Sequence, residues 1–195
     1  MVTNSFSEKV INWYELHGRH DLQWRKAITP YRIWISEIML QQTQVVTVKP
    51  YFKKFIKKYP TLKSIQDASE DEILTLWSGL GFYKRARNIF RTKEIIHSEH
   101  KGRFPKTFEE IIKLPGIGKS TAGAIMSIAH QIPTPILDGN VKRILQRYFS
   151  DGKNIFSEKE LWDLSLSVSN ATNSNFYTQG IMDIGATLCL SLIHI

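Results

Sequence analysis

Four times along the chain a serine or threonine is followed three residues later by glutamate, just ahead of apolar residues: Ser5 with Glu8, Ser69 with Glu72, Thr107 with Glu110 and Ser157 with Glu160. In this arrangement the hydroxyl accepts from a first-turn amide while the carboxylate reaches back to the cap amide, so each pair marks the start of a helix. The apolar spacing agrees. Val45, Val48, Phe52, Phe55 and Tyr59 recur at steps of three and four, and Lys49, Lys53, Lys54, Lys57 and Lys58 fall largely outside that stripe. Pro50 sits inside the pattern and is expected to kink the helix or mark a restart, because it has no amide hydrogen to donate. Gly79 is placed to stop a helix carrying Ile73, Leu74 and Trp77. Further helices run through Ala86, Ile89, Phe90 and Ile96, through Ala122, Ile125 and Ile128, and through Val141, Ile144, Leu145 and Tyr148. No stretch alternates with the two-residue period and turn signals of a β-hairpin. The fold class is all-α, built from many short helices, with no internal repeat and no long linker.

Composition bounds the rest. With 195 residues and 42% apolar content the chain can bury a core, as one domain or two small interlocked ones. Its one cysteine, Cys189, excludes an internal disulfide framework and a complete cysteine-based metal site. Lysine and arginine number 26 against 18 acidic residues, a net charge of +8. With a pI near 9.5 this favours a polyanionic partner, nucleic acid before membrane. Met1 to Ser7 carries no basic cluster, no apolar signal region follows, and no run approaches the roughly 18 apolar residues of a membrane span. An intracellular, soluble protein is expected.

Four segments carry candidate chemistry. In Leu114-Pro115-Gly116-Ile117-Gly118-Lys119-Ser120-Thr121-Ala122 two glycines let a tight turn expose successive backbone amides ahead of a helix. The segment is either an ordinary helix–helix turn or a cradle for a phosphate oxygen, with Lys119 adding a cation. The small residues Ala122-Gly123-Ala124 suggest two helices in near contact, as in a helix–hairpin–helix DNA-backbone binder. Asp138, in Asp138-Gly139-Asn140-Val141, is either a simple helix cap or a partly buried carboxylate held ionised by the helix behind it, able to face a developing cation. Glu37, among Ile33, Trp34, Ile35, Ile38, Met39 and Leu40, lies either on the solvent face of its helix or in a desolvated setting that makes it a general acid. The run Gln41-Gln42-Thr43-Gln44 is either a polar loop or a set of neutral amides suited to base edges.

These blocks resemble the catalytic domain of adenine DNA glycosylases of the MutY type, in the helix–hairpin–helix DNA glycosylase superfamily. The likeness is collinear from about Trp13 to Cys189. It runs through Trp24-Arg25, Pro30-Tyr31 to Gln44, Pro50-Tyr51-Phe52, Gly79-Leu80-Gly81-Phe82-Tyr83 with Arg85-Ala86-Arg87-Asn88, the hairpin, Leu137 to Val141, and Met182-Asp183-Ile184-Gly185-Ala186. The resemblance implies two helical lobes with a cleft between them. Residues 29–133 would form a six-helix lobe with the hairpin, and residues 1–28 with 134–189 the second lobe. It implies base-excision repair by hydrolysis of the N-glycosidic bond of adenine mispaired with 8-oxoguanine or guanine, on double-stranded DNA, by a monomer, inside the cell, and in the cytoplasm or nucleoid if the source is bacterial.

Residue by residue, the resemblance gives Glu37 the protonation of the departing adenine and help in activating water. Asp138 would stabilise the oxocarbenium-like sugar, and Asn140 would orient both. Trp24, Arg25 and Gln179 would surround the extruded adenine. Gln42, Thr43, Leu80, Phe82, Tyr83, Gly116, Gly118, Lys119 and Ser120 would contact DNA. Two positions depart from the common pattern. Phe82 replaces a tyrosine often found there and keeps the stacking ring without the hydroxyl. Ser120 stands where the endonuclease III type has a Schiff-base lysine, which favours a monofunctional glycosylase. The alternatives are an endonuclease III-like glycosylase-lyase and an inactive DNA-binding fragment. Cys189 matches the first of four ligands to a [4Fe–4S] cluster, which this chain cannot assemble alone. Residues 190–195 match what a sequencing-library adapter encodes. The chain is therefore read as a catalytic-domain fragment with a non-native tail, against a natural cluster-less variant.

Overall fold

The computed structural model describes residues 2–150, 152, 155–169 and 172–190, with side chains from Ser5 onward; residues 191–195, most of the expected tail, lie outside the described residues. In chain order the helices are α1 Val2–His17, α2 Gln23–Lys26, α3 Pro30–Leu40, α4 Val45–Lys58, α5 Glu70–Trp77, α6 Lys84–Glu99, α7 Phe108–Ile111 and α8 Lys119–Ala124, then a π-helical turn at Ile125–Ala129, then α9 Gly139–Phe149, α10 Glu158–Ser169 and α11 Ser174–Thr187. No strand occurs among the described residues, so the fold is all-α.

Three of the four expected caps form. The Ser69 amide donates to Glu72 Oε2 at 3.0 Å and the Glu72 amide to Ser69 Oγ at 3.2 Å, opening α5. Ser157 and Glu160 make the same exchange at 2.7 and 3.3 Å ahead of α10. Thr107 Oγ1 accepts from the Glu110 amide at 3.3 Å ahead of α7. Ser5 is different: α1 already begins at Val2, so Ser5 lies inside the helix and caps nothing. The buried stripe Phe6, Val10 and Tyr14 drives α1, and its backbone runs on past the residue that looked like its start.

The chain forms two compact units, residues 20–125 and residues 1–19 with 126–195. In the first, α3 is buried on most sides, through Tyr31, Ile33, Trp34, Ile35, Ser36, Ile38 and Met39, and packs against α4, α6 and α8. Thr29 caps it and Pro30 fills the first helical position, where a missing amide hydrogen costs nothing. On α4 the apolar stripe is as read, with Val48, Phe52 and Phe55 buried. Pro50, expected to kink or restart this helix, does not end it: α4 is continuous from Val45 to Lys58. The bond Pro50 cannot make falls on the carbonyl of Val46, an exposed residue where solvent satisfies an acceptor cheaply.

In the second unit α1 packs on α10 and α11, and α9 on α10 and α11. Gly180 lets α1 and α11 approach closely, since a Cβ there would lie 2.9 Å from Tyr14 Cβ and 3.0 Å from the Val10 carbonyl. Just past α1, the Arg19 amide donates to Asp183 Oδ2 at 2.9 Å and its Nε to Oδ1 at 2.8 Å. Asp183 is wholly buried on α11 (0% exposed). Phe6 meets Tyr148 at a tilt and Phe149 edge-on, ring centres 4.7 and 5.1 Å away. Among the described residues no helix is long and apolar enough to cross a membrane.

Candidate functional site

The hairpin expected from the sequence is α7, the turn Leu114–Gly118, and α8. Leu114 and Ile117 are buried, and the Ile117 amide donates to the Leu114 carbonyl at 3.1 Å, which closes the turn. Gly116 has φ +80°, and a Cβ there would sit 2.6 Å from Asn88 Nδ2. Both reasons require glycine. Gly118 caps α8 with an ordinary extended backbone, and nothing lies within 4 Å of where its Cβ would be. Gly116, Gly118 and Lys119 are exposed and Ser120 is half-buried, so the turn offers open backbone beside a lysine. Thr92 Oγ1 on α6 donates to the Pro115 carbonyl at 3.2 Å, and Gln41 Nε2 to the Gly116 carbonyl at 3.2 Å.

Gln41 opens a second turn at the end of α3. Gln42 is exposed with φ +55°, while Thr43 is half-buried. A third turn follows α5. Gly79 and Gly81 take φ +92° and +78°, and Phe82 takes φ +50°, unusual for a bulky side chain. Phe82 is 58% exposed and Tyr83 is exposed beside it, whereas Leu80, expected among the DNA contacts, is buried beneath them at 5%.

One side chain ties the second and third turns together. Arg85, at the start of α6, is 7% exposed. Its Nη1 donates to the carbonyls of Ile38 at 3.2 Å and Met39 at 2.8 Å, and to that of Gln41. Its Nη2 donates to Thr43 Oγ1 at 3.0 Å and the Gly81 carbonyl at 3.2 Å. The guanidinium lies 5.4 Å from the Trp77 ring centre and 5.1 Å from that of Phe82. It thus satisfies the orphan carbonyls at the end of α3 and braces the Gly79–Phe82 turn at once. Burial lowers the pKa of Arg85, but a guanidinium stays charged. In the sequence Arg85 stands inside the Gly79–Asn88 motif with no role of its own. The available signal was its place on the buried stripe with Ala86, Ile89, Lys93 and Ile96.

Glu37 lies on α3 between buried Ser36 and Ile38 and is itself half-buried, neither fully solvated nor sealed. Trp24 is buried on α2 and meets Phe52 edge-on at 5.3 Å, with Arg25 half-buried next to it.

In the other unit, half-buried Asp138 caps α9: its Oδ1 accepts from the Val141 amide at 2.8 Å. Burial pushes its pKa above the ordinary carboxylate value, against the pull of the Val141 and Asn140 amides and of Arg143. The cap and the partial burial are both present, whereas the direction of the shift runs against a carboxylate held ionised by its helix. Arg143 is the organiser here, and nothing local marked it. It donates to Asn140 Oδ1 at 2.8 Å, to the Gly185 carbonyl at 2.6 Å and to the Cys189 carbonyl at 2.6 Å. Gly185 is needed where α9 and α11 meet, since a Cβ would lie 2.4 Å from Asn140 Cβ. Gln179 is buried on α11 and donates to Asn175 Oδ1. Cys189 accepts at Sγ from Arg147 Nη1 at 3.2 Å. A [4Fe–4S] cluster takes four thiolates, and the chain has one cysteine, so the donors present do not fit that group. No cluster of three or more metal-ligating side chains occurs among the described residues.

Helices, hairpin and glycine turns of this kind define a class. The chain belongs to the HhH-GPD superfamily of base excision DNA repair proteins, whose pattern matches residues 35–165. It is 52% identical over 190 residues to a protein named adenine DNA glycosylase from Buchnera aphidicola subsp. Acyrthosiphon pisum, covering 96% of this chain and 54% of that one. The chain spans about half the length of the curated relatives it matches first. Among solved structures, a thermostable thymine-DNA glycosylase superposes with TM-score 0.87 at 27% identity, covering 97% of this chain and 88% of that one. A non-covalent endonuclease III–DNA complex shares the fold at TM-score 0.77 and 20% identity, over 96% and 86% of the two chains.

Proposed function

We propose that this chain carries the catalytic part of a monofunctional DNA glycosylase that releases adenine mispaired with 8-oxoguanine or guanine. It would act on duplex DNA inside the cell, as a monomer. The observation that carries the reading is the 52% identity, over nearly the whole chain, with a protein named adenine DNA glycosylase. Glu37 delivers the proton that makes adenine a leaving group. Asp138 faces the positive charge left on the sugar, and Asn140, fixed by Arg143, holds its place beside it. Trp24, Arg25 and Gln179 receive the extruded base. The hairpin at Gly116–Ser120 takes the backbone phosphates through its amides and Lys119. Gln42, Thr43, Phe82 and Tyr83 address the bases, with Leu80 supporting their turn from below. Because Ser120 offers no amine, no Schiff base forms and the abasic strand stays intact.

A duplex carrying one A:8-oxoguanine pair tests this. The chain is expected to yield alkali-labile sites and no cleavage before alkali, with little borohydride-trapped complex. Glu37→Gln is expected to lower adenine release by roughly 10²–10⁴ while leaving duplex affinity close to the parent's. Full release by Glu37→Gln would remove Glu37 as the acid. Strand cleavage without alkali would favour the glycosylase-lyase reading, and binding without adenine release the inactive DNA-binding one.

A further inference from the structure

We infer that Arg85 is a positioning residue that locks the Gln41–Gln44 turn and the Gly79–Phe82 turn into one rigid two-pronged probe, and that discrimination of the mispair depends on this lock. The inference rests on the glycosylase reading above and deepens it. Both turns end in an exposed side chain on a left-handed backbone, Gln42 at φ +55° and Phe82 at φ +50°. Such backbones persist only where the surroundings over-determine them. Here the surroundings are largely one guanidinium. It donates to Gln41 and Thr43 on one turn and to Gly81 on the other, and it lies against the Phe82 ring. Each turn has a second tether of its own: Gln41 to the Gly116 carbonyl, and Trp77 Nε1 to the Gly81 carbonyl at 2.9 Å. Among the described residues Arg85 is the side chain that bonds to both. Lysine carries the same charge but has no planar fork, so it cannot hold both turns in register.

Two measurements on the whole chain separate this from a merely structural role. The first is hydrogen exchange on the free protein. The Thr43 amide bonds to the Leu40 carbonyl and the Leu80 amide to that of Trp77. In Arg85→Lys both amides are expected to lose protection together, while α9 and α11 keep theirs. The second is the ratio of affinities for an A:8-oxoguanine duplex and a matched duplex. It is expected to fall about ten- to a hundredfold in Arg85→Lys, as when a contacting group is misplaced, with matched-duplex affinity little changed. Ile96→Ala, a buried truncation further along α6, serves as a control of reduced stability and is expected to keep the parental ratio. Thr43→Val removes one acceptor of Arg85 without adding a charge and is expected to loosen both amides by less, which keeps the exchange test open if Arg85→Lys folds poorly; because Thr43 itself addresses the bases, only exchange is read in this variant. Unchanged exchange at Thr43 and Leu80 in both variants overturns the lock. Loosened turns with an unchanged ratio, or an equal loss of ratio in Ile96→Ala, overturn its part in discrimination. A parent that prefers neither duplex and releases no adenine overturns the glycosylase reading instead, and exchange alone then decides the lock.

Discussion

At the scale of single residues, Asp138 combines two demands that pull on its charge in opposite directions. As the cap of α9 it accepts from the Val141 amide, which favours the carboxylate, but burial disfavours charge by more, and its pKa lies above the ordinary 3.8. The linkage follows from that direction. Below about 3.8 the side chain is protonated in both folded and unfolded chains, and its full contribution to stability is present. As pH rises from there through the folded-state pKa, the unfolded chain ionises first and that stability is lost. Asparagine keeps an acceptor at the cap without the charge. Asp138→Asn is therefore expected to melt above the parent at neutral pH, with the advantage shrinking as pH falls through the folded-state pKa and gone below about 3.8, although adenine release is lost. Scanning calorimetry across that pH range checks it; a lower Tm at neutral pH would mean that the charge on the cap outweighs its burial. The hairpin glycines divide differently. At Gly118 a side chain meets nothing within 4 Å and needs no unusual backbone. Gly118→Val is thus expected to cost the fold only about 1 kcal/mol as a poorer cap. Its duplex affinity should fall equally for matched and mispaired DNA, read by fluorescence anisotropy, because backbone contacts carry no sequence information. A selective loss of mispair binding would assign the hairpin to base readout.

At the scale of elements, what could be read in advance was local. The caps of α5, α7 and α10 and the stop at Gly79 involve residues three or four apart, so their chemistry is visible in a short window. Ser5 as a start and Pro50 as a restart failed for one common reason. Each is a boundary signal worth about 1–3 kcal/mol, and the buried stripes of α1 and α4 outweigh it. The ties between elements were invisible, because Arg19 and Asp183 are 164 residues apart. Asp183 is wholly buried and takes the Arg19 backbone amide together with the guanidinium, which joins the end of α1 to α11. The pair is part-buried, with the Arg19 side chain 27% exposed, so Asp183→Ala loses its charge-assisted hydrogen bonds without stranding a buried charge and is expected to destabilise the chain by about 1.5–3 kcal/mol in urea denaturation. A loss below about 1 kcal/mol would reduce the pair to a surface contact.

At the scale of the whole molecule, the candidate site was legible where chemistry sits on named residue types in a fixed order, as at Glu37, the hairpin and Asp138-Gly139-Asn140. It was not legible where one arginine organises several carbonyls, as Arg85 and Arg143 do, because a backbone acceptor leaves no mark in a sequence. Arg85 has a consequence that reaches beyond the turns it holds. A guanidinium wrapped in carbonyl oxygens is dissolved without being neutralised, much as a crown ether takes up a potassium ion and leaves its charge intact. Among the described residues no carboxylate pairs with Arg85, and it is almost shut off from water. Its field therefore passes outward through protein rather than through a screening solvent. The exposed lysines of α4 contribute to the long-range pull of a chain with net charge +8, and salt erases that pull readily. The buried charge under Gln42 and Phe82 is shielded far less, so a polyanion brought in by the whole surface would feel its last and most salt-resistant attraction at those two tips.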